Sequence, residues 1–341
     1  MSTLLKEVLD ELGGEDGAQL LGSQDLTIKI KGVIPTGCPS VDAAIGRGGI
    51  PLARLTIIHG KEGSGKTTMA LHIVQQCQAQ GGIVIYMDME YKLDPDYAVA
   101  LGVDVERMII VQPPHLEKIF QKIEKIIKRA RQHSEKSKKN PPILIVIDSM
   151  NAAITKAQYT GDFEDQPHYG PQATVYSKLL PKMIPIISKS QVALLFVSQV
   201  RKNIGVTFGN DETICGGNAP RFYASLIMGV TSLSATKDAD GTKTSNKIRV
   251  DCFKNQIAPP FQKGECEIVY GTGVDKERSL IWIAEKKGLV KKKGAWFKYG
   301  DKKLGQGATK AAEHLRSHPG VRERLLADLA AKYKWEDYKI K

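Results

Sequence analysis

The chain is poor in aromatic residues, has no paired cysteine motif and contains no long apolar run. Phe, Trp and Tyr make up 6% of its 341 residues. Val, Ile and Leu are plentiful, so the small aromatic share does not imply disorder. No apolar run reaches the roughly 18 residues a membrane helix needs, which excludes a helical membrane protein. The five cysteines stand at 38, 77, 215, 252 and 266. None falls in a CxxC pair, and an odd count argues against a disulfide framework. A reduced, cytoplasmic setting is the expectation. The opening MSTLLKEVLDELGGEDG sets acids among its apolar residues and does not read as a signal peptide. Acids are also in deficit: 37 Asp and Glu face 49 Lys and Arg, a net charge of +12. That excess points to a polyanionic partner, most often nucleic acid, with well-solvated lysines as the alternative.

What is present has the rhythm of an α/β protein. Residues 4–12, LLKEVLDEL, carry a helical apolar face too short to be stable alone, so it must dock on something. LTIKIKG (26–32) alternates like a strand. From residue 54 onward, apolar runs alternate with helical patterns: RLTIIHG, GIVIYMD, RMIIVQ, PPILIVID and VALLFVSQ. Runs that are apolar throughout and end in polar residues belong to strands buried on both faces, as in parallel sheets. Residues 116–132 repeat apolar positions at helical spacing. Further strands are expected at 225–233, 247–254 and 264–270. Beyond about 271 the chain turns Lys-rich and mostly helical. The expected architecture is an N-terminal arm (1–32), an α/β core (33–270) and a small C-terminal α/β domain (271–341).

The chemistry concentrates in HGKEGSGKTT. Gly60, Gly65, Lys66 and Thr67 fit G-x-x-x-x-G-K-[ST] between a strand and a helix. Glycines let backbone N–H groups wrap phosphates, and the helix N-terminus adds partial positive charge. Lys66 suits the β- and γ-phosphates of a nucleotide such as ATP, and the Thr67 hydroxyl suits Mg²⁺. The whole loop, Gly60, Lys61, Glu62, Gly63, Ser64, Gly65, Lys66, Thr67 and Thr68, is the candidate nucleotide cradle. Asp148, closing ILIVID, is the candidate second Mg²⁺ anchor. Glu90, just past the end of IVIYMD, is the candidate for positioning the attacking water, with Asp88 as its rival. Gln199 ends VALLFVSQ and emerges at the same carboxyl edge, where open α/β sheets bind ligands.

Several stretches together resemble the bacterial RecA recombinase family. They are GKEGSGKTT, MDMEYKLDPDYAVALGVD, VIDSMNAA, SQVRKNIGVTFGNDETICGGNAPRFYAS, FKNQIAPPF and GAWFKYGDKKLGQG. The likeness runs from about residue 33 to 315. It implies a P-loop RecA-type core with a central, mostly parallel sheet, a short helical N-terminal arm and a small C-terminal domain. It implies a DNA-dependent ATPase that forms helical filaments on single-stranded DNA and exchanges strands with double-stranded DNA.

By the same resemblance Glu90 activates water, Asp94 and Tyr97 hold the adenine, and Tyr270 is a second aromatic near it. Gln199 links the γ-phosphate to a DNA-binding loop at 200–218, and about 161–170 form another. Phe222 lies at the subunit interface, and Lys254 reaches the neighbouring subunit's ATP. DNA contacts are expected from Tyr169, Arg201, Lys202, Ile204, Gly216, Gly217 and Asn218. Ile204 is an apolar tip in a polar loop, suited either to wedge between bases or to anchor on the core.

The sequence departs from the family pattern in places. Gln256 stands where a second interface lysine is usual, and Tyr169 where a methionine is usual. The family commonly finishes in an acidic tail, whereas KWEDYKIK stands here. Between Glu285 and Lys303 eight lysines, Lys286 and Lys302 among them, face only Glu285 and Asp301. This patch is expected to gather duplex DNA. Alternative readings are a ring helicase of the same core fold and an ATP-binding protein that coats DNA.

Overall fold

The computed structural model describes residues 3–13, 20, 30–136, 140–162, 170–202, 212–336 and 338–341. Tyr169, Ile204 and most of LTIKIKG lie outside these residues, as do the side chains of Arg201 and Lys202.

The first part of the chain forms α1 (Thr3–Leu12), β1 (Val33–Ile34), α2 (Pro39–Ile45), β2 (Ile50–Pro51), β3 (Leu55–Gly60) and α3 (Lys66–Ala79). There follow β4 (Ile83–Asp88), α4 (Pro95–Ala100), β5 (Met108–Val111), α5 (Leu116–Lys136), β6 (Ile143–Asp148), α6 (Lys156–Thr160) and α7 (Pro171–Ser188). Next come β7 (Val192–Lys202), β8 (Glu212–Ile214), α8 (Asn218–Tyr223), β9 (Leu226–Lys237), β10 (Lys243–Asn255), β11 (Lys263–Val269) and β12 (Gly273–Val274). The last part contains α9 (Lys276–Lys286), β13 (Val290–Lys293), β14 (Trp296–Tyr299), β15 (Lys302–Gln306), α10 (Ala308–Ser317) and α11 (Pro319–Tyr333).

The main sheet runs β12-β11-β10-β9-β3-β7-β6-β4-β5, with β8 paired to β7. It is parallel from β9 through β5 and antiparallel from β9 through β12. The apolar runs explain the arrangement. Along β6, Leu144 and Val146 join the core on one face, while Ile143, Ile145 and Ile147 join that on the other. A strand covered on both sides needs apolar residues at every position, since successive side chains alternate. The edge strand β5 is different: Ile109 and Ile110 are 54% and 51% exposed.

The Lys-rich region is less helical than its composition suggests. A three-stranded antiparallel sheet, β13-β14-β15, sits among α9, α10 and α11. Its core of Leu280, Val290, Phe297, Leu304, Leu315 and Leu325 is continuous with Ala43 of α2. The segment after α11 folds back on the main α/β core. Trp335 Nε1 donates to the Gly46 carbonyl (3.1 Å), and Tyr338 donates its hydroxyl to Asp42 Oδ2 (2.8 Å). Helix α1 buries none of its residues, and Leu4, Val8 and Leu12 stand 69%, 42% and 52% exposed. The docking partner expected of that face is not found among the described residues.

Candidate functional site

Parallel pairing brings the ends of four strands into line. Gly60 of β3 lies beside Gln199 of β7, and Asp88 of β4 lies beside Asp148 of β6. Sequence segments 28–139 residues apart thereby meet at the carboxyl edge of the sheet. A cavity of about 450 Å³ opens there. Glu62, Gly63, Lys66 and Thr67 line it from the loop, Tyr86, Asp88 and Glu90 from the end of β4, and Asp94 and Tyr97 from α4 and its cap. Asp148, Ser149 and Gln199 complete it.

The loop has the conformation that a phosphate cradle requires. Gly65 caps α3 at φ 97°, and a Cβ there would lie 2.5 Å from Ile268 Cδ1. Any other residue would be strained and would collide. Gly63, at φ 68°, leaves open space where a side chain would stand. Ser64 Oγ is buried without a hydrogen-bond partner among the described residues. Lys66 Nζ donates to the Lys61 carbonyl at 2.7 Å. Burial holds the Lys66 ammonium below its ordinary value, against the opposing pull of Asp148, Glu90 and Glu62.

Thr67 Oγ1 donates to Asp148 Oδ2 at 2.9 Å, and Tyr86 donates its hydroxyl to the same oxygen at 2.7 Å. Burial raises the Asp148 carboxyl, opposed by those two hydrogen bonds. A partly desolvated cation and a desolvated carboxyl both gain from a ligand of complementary charge. Phosphate at Lys66 and a divalent cation at Thr67 and Asp148 answer both needs, with oxygen donors that suit Mg²⁺. The residues present therefore fit a nucleotide with its metal.

Glu90 and Asp88 separate by their partners. Asp88 accepts the backbone N–H groups of Glu90 (3.1 Å) and Leu93 (3.2 Å), holding the turn after β4. Glu90 accepts from Ser149 Oγ at 2.5 Å and from Gln199 Nε2 at 3.4 Å, with Lys92 Nζ 3.7 Å away. Asp94 caps α4 through the Asp96 N–H (2.9 Å), and the Tyr97 hydroxyl lies 2.8 Å from Thr68 Oγ1.

Other expected residues stand apart from this cavity. Tyr270 is half exposed beyond β11 and does not line it. Lys254 also lies elsewhere: its Nζ donates to the carbonyls of Arg221 (2.9 Å) and Phe222 (2.7 Å), with the Phe222 ring 72% exposed. Burial lowers the Lys254 ammonium. Gln256 is exposed two residues further on. Gly216 and Gly217 lead from β8 into α8, which begins at Asn218, and the two glycines line a second cavity of about 360 Å³ with Gly170, Gln172 and Cys215. Tyr86, Ser149 and Asn151 were not singled out from the sequence. Only Tyr86 had a signal, a lone phenol within an otherwise aliphatic run.

In the C-terminal region Lys291 pairs across from Lys298, which itself lies opposite Lys303. Like charges directly opposed cost stability. Lys303 also lies 5.7 Å from the ring of Trp296, which is 44% exposed, and Lys286 lies 5.5 Å from the Trp282 ring.

Fold and site together define a P-loop nucleotide-binding protein built on a mostly parallel sheet. The RecA N-terminal domain family matches residues 1–275, and the RecA C-terminal domain family matches residues 278–334. Protein RecA of Thermus aquaticus is 40% identical over 295 residues, covering 86% of this chain and 84% of that protein. Protein RecA of Clostridium perfringens is 38% identical over 300 residues, covering 88% and 82% respectively. A crystal structure of the RadB recombinase shares the fold at TM-score 0.51 and 20% identity, over 71% of this chain and 98% of that one. The chain belongs to the RecA family. It is an ATP-dependent recombinase of DNA repair and a P-loop ATPase by membership.

Proposed function

We propose that this chain assembles on single-stranded DNA as a helical filament, hydrolyses ATP with Mg²⁺, and pairs the bound strand with homologous duplex. One observation carries the reading: Gln199 shares a cavity with Lys66, Thr67, Glu90 and Asp148, and it lies on the strand that leads into residues 200–218. The nucleotide and the candidate DNA loop thus meet on one strand.

Lys66 and the loop amides hold the phosphates, and Thr67 and Asp148 hold the metal. The metal, when bound, neutralises phosphate charge. Glu90 accepts the proton of the attacking water. Gln199 Nε2, a neutral donor, responds to the γ-phosphate, and hydrolysis releases the loop through an order–disorder change. Arg201, Lys202 and the Gly216–Asn218 turn meet the strand mainly through its backbone, because base pairing supplies the specificity. The lysines of β13–β15 gather the duplex.

Self-association is supported by two apolar surfaces. Helix α1 presents Leu4, Val8 and Leu12 beside Glu7, Asp10 and Glu11. A groove of about 470 Å³ near β4 and β5 offers Ile83, Ile109 and Ile126 beneath Lys125 and Arg129. An acidic amphipathic helix of one copy suits that basic-rimmed groove on the next. Lys254 then reaches the neighbour's nucleotide and Phe222 lies at the subunit interface, with residues 1–32 as the arm, 33–270 as the ATPase core and 271–341 as the DNA-gathering domain. Electron microscopy with ATP and single-stranded DNA tests the assembly. Helical filaments are expected, and hexameric rings without filaments would overturn the reading.

A further inference from the structure

The five residues after β6, Ser149–Ala153, touch four parts of the site. Ser149 Oγ donates to Glu90 Oε1. The Met150 carbonyl accepts from Cys215 Sγ at 3.8 Å, and the Ala153 carbonyl accepts from Gln172 Nε2 at 2.5 Å. Cys215 follows β8, on the return side of the 200–218 loop, and Gln172 lies in the first turn of α7, just after the 161–170 loop. Between them stands Asn151, whose side chain grips one residue by both backbone groups. Its Oδ1 accepts the Gln199 N–H at 2.7 Å, and its Nδ2 donates to the Gln199 carbonyl at 3.2 Å. The same Oδ1 accepts Ser198 Oγ at 3.1 Å, and Ser198 Oγ in turn accepts the Cys215 N–H at 3.4 Å.

A side-chain amide offers one acceptor and donors on one small plane, as a peptide group does. Asn151 uses it to extend the β6–β7 pairing beyond its last registered pair, Asp148 with Val197. On the opposite side Gln199 is paired to Gly60 of the phosphate loop. The Gln199 backbone is therefore held from both flanks, while its side chain reaches Glu90. Asn151 does not line the nucleotide cavity.

We propose that Asn151 is the positioning residue for Gln199, and that Ser149–Ala153 joins the nucleotide cavity to the fixed ends of both candidate DNA loops. This rests on the reading of Gln199 as the group that senses the γ-phosphate. With its backbone clamped, Gln199 transmits a change at the γ-phosphate along β7. Unclamped, the same change is absorbed by local backbone movement.

The test compares single-stranded DNA affinity with a slowly hydrolysed ATP analogue and with ADP. The wild-type chain should bind more tightly with the triphosphate. In Asn151→Ala, which removes two hydrogen bonds to Gln199, that preference should fall about tenfold. Affinity for ADP should stay within about twofold, and kcat for DNA-stimulated hydrolysis should fall while KM for ATP holds. Asn151→Asp keeps the Oδ1 acceptor and loses the donor, so it should lie between the two, and it decides the matter should Asn151→Ala fail to bind ADP. A full wild-type preference in both variants overturns the positioning role. Absence of any preference in the wild-type chain overturns the sensor reading of Gln199, and this inference with it.

Discussion

Gly60, the first glycine of the phosphate loop, is the direct β-ladder neighbour of Gln199. One strand ends in the candidate phosphate loop, and the next carries Gln199, the residue proposed to sense the γ-phosphate. Glu90 completes the set, within 3.4 Å of the Gln199 amide. The phosphate loop and the strand that carries Gln199 are thus one inter-strand step apart, about 4.8 Å.

Glu90→Gln tests the division of labour between the two acids past β4. The substitution keeps an acceptor for Ser149 Oγ and removes the base. DNA-stimulated ATP hydrolysis should drop by about 10²- to 10⁴-fold. Nucleotide affinity should change little, because Lys66, Thr67 and Asp148 are intact. Unchanged turnover would move the role elsewhere, with Asp88 the next to examine.

Two buried imidazoles should weaken the fold in acid. Burial holds His59 and His72 down to about 4, with added repulsion from Arg221 and Lys66 at His59 and from Lys276 at His72. His72 Nε2 accepts the Val274 N–H at 2.8 Å, so it must be neutral. The folded form binds fewer protons than the unfolded form below the ordinary value of 6.5. The stabilisation is complete above pH 6.5 and is lost as pH falls towards 4, on the order of 3 kcal/mol for each histidine. Urea midpoints measured across that range should fall with pH, and His72→Gln should flatten the slope.

The duplex binding proposed for the C-terminal region should weaken steeply with salt, as binding through phosphate contacts does. Lys286→Ala and Lys302→Ala should each lower affinity for all duplex sequences alike and reduce the log–log salt slope by about 1. Fluorescence anisotropy on duplexes of unrelated sequence gives both quantities. A slope unaltered by either substitution would make the patch merely a solvated surface.

Much of this was legible beforehand, for identifiable reasons. Strands β6 and β7 carry apolar runs at 143–147 and 192–197 because both faces are covered there, β4 carries one at 83–87 with only Ile83 exposed, and the runs end visibly at Asp88, Asp148 and Ser198–Gln199. Local spacing alone singled out the loop from Gly60 to Thr68. The small sheet β13–β15 was hidden because its strands are four or five residues long and Lys-rich, with few buried residues to mark a period of two. Tyr86 and Asn151 were hidden for another reason. Their partners Asp148 and Gln199 lie 62 and 48 residues away, and only sheet order brings them together. Tyr270 shows the converse, since resemblance placed it near adenine while the cavity of this subunit is lined without it.

The most direct test is strand exchange between circular single-stranded DNA and a homologous linear duplex, with ATP and Mg²⁺, and with hydrolysis followed in the same reaction. Joint molecules should form only with homologous partners, and single-stranded DNA should stimulate hydrolysis. Hydrolysis indifferent to DNA, with no joint molecules formed, would contradict the account.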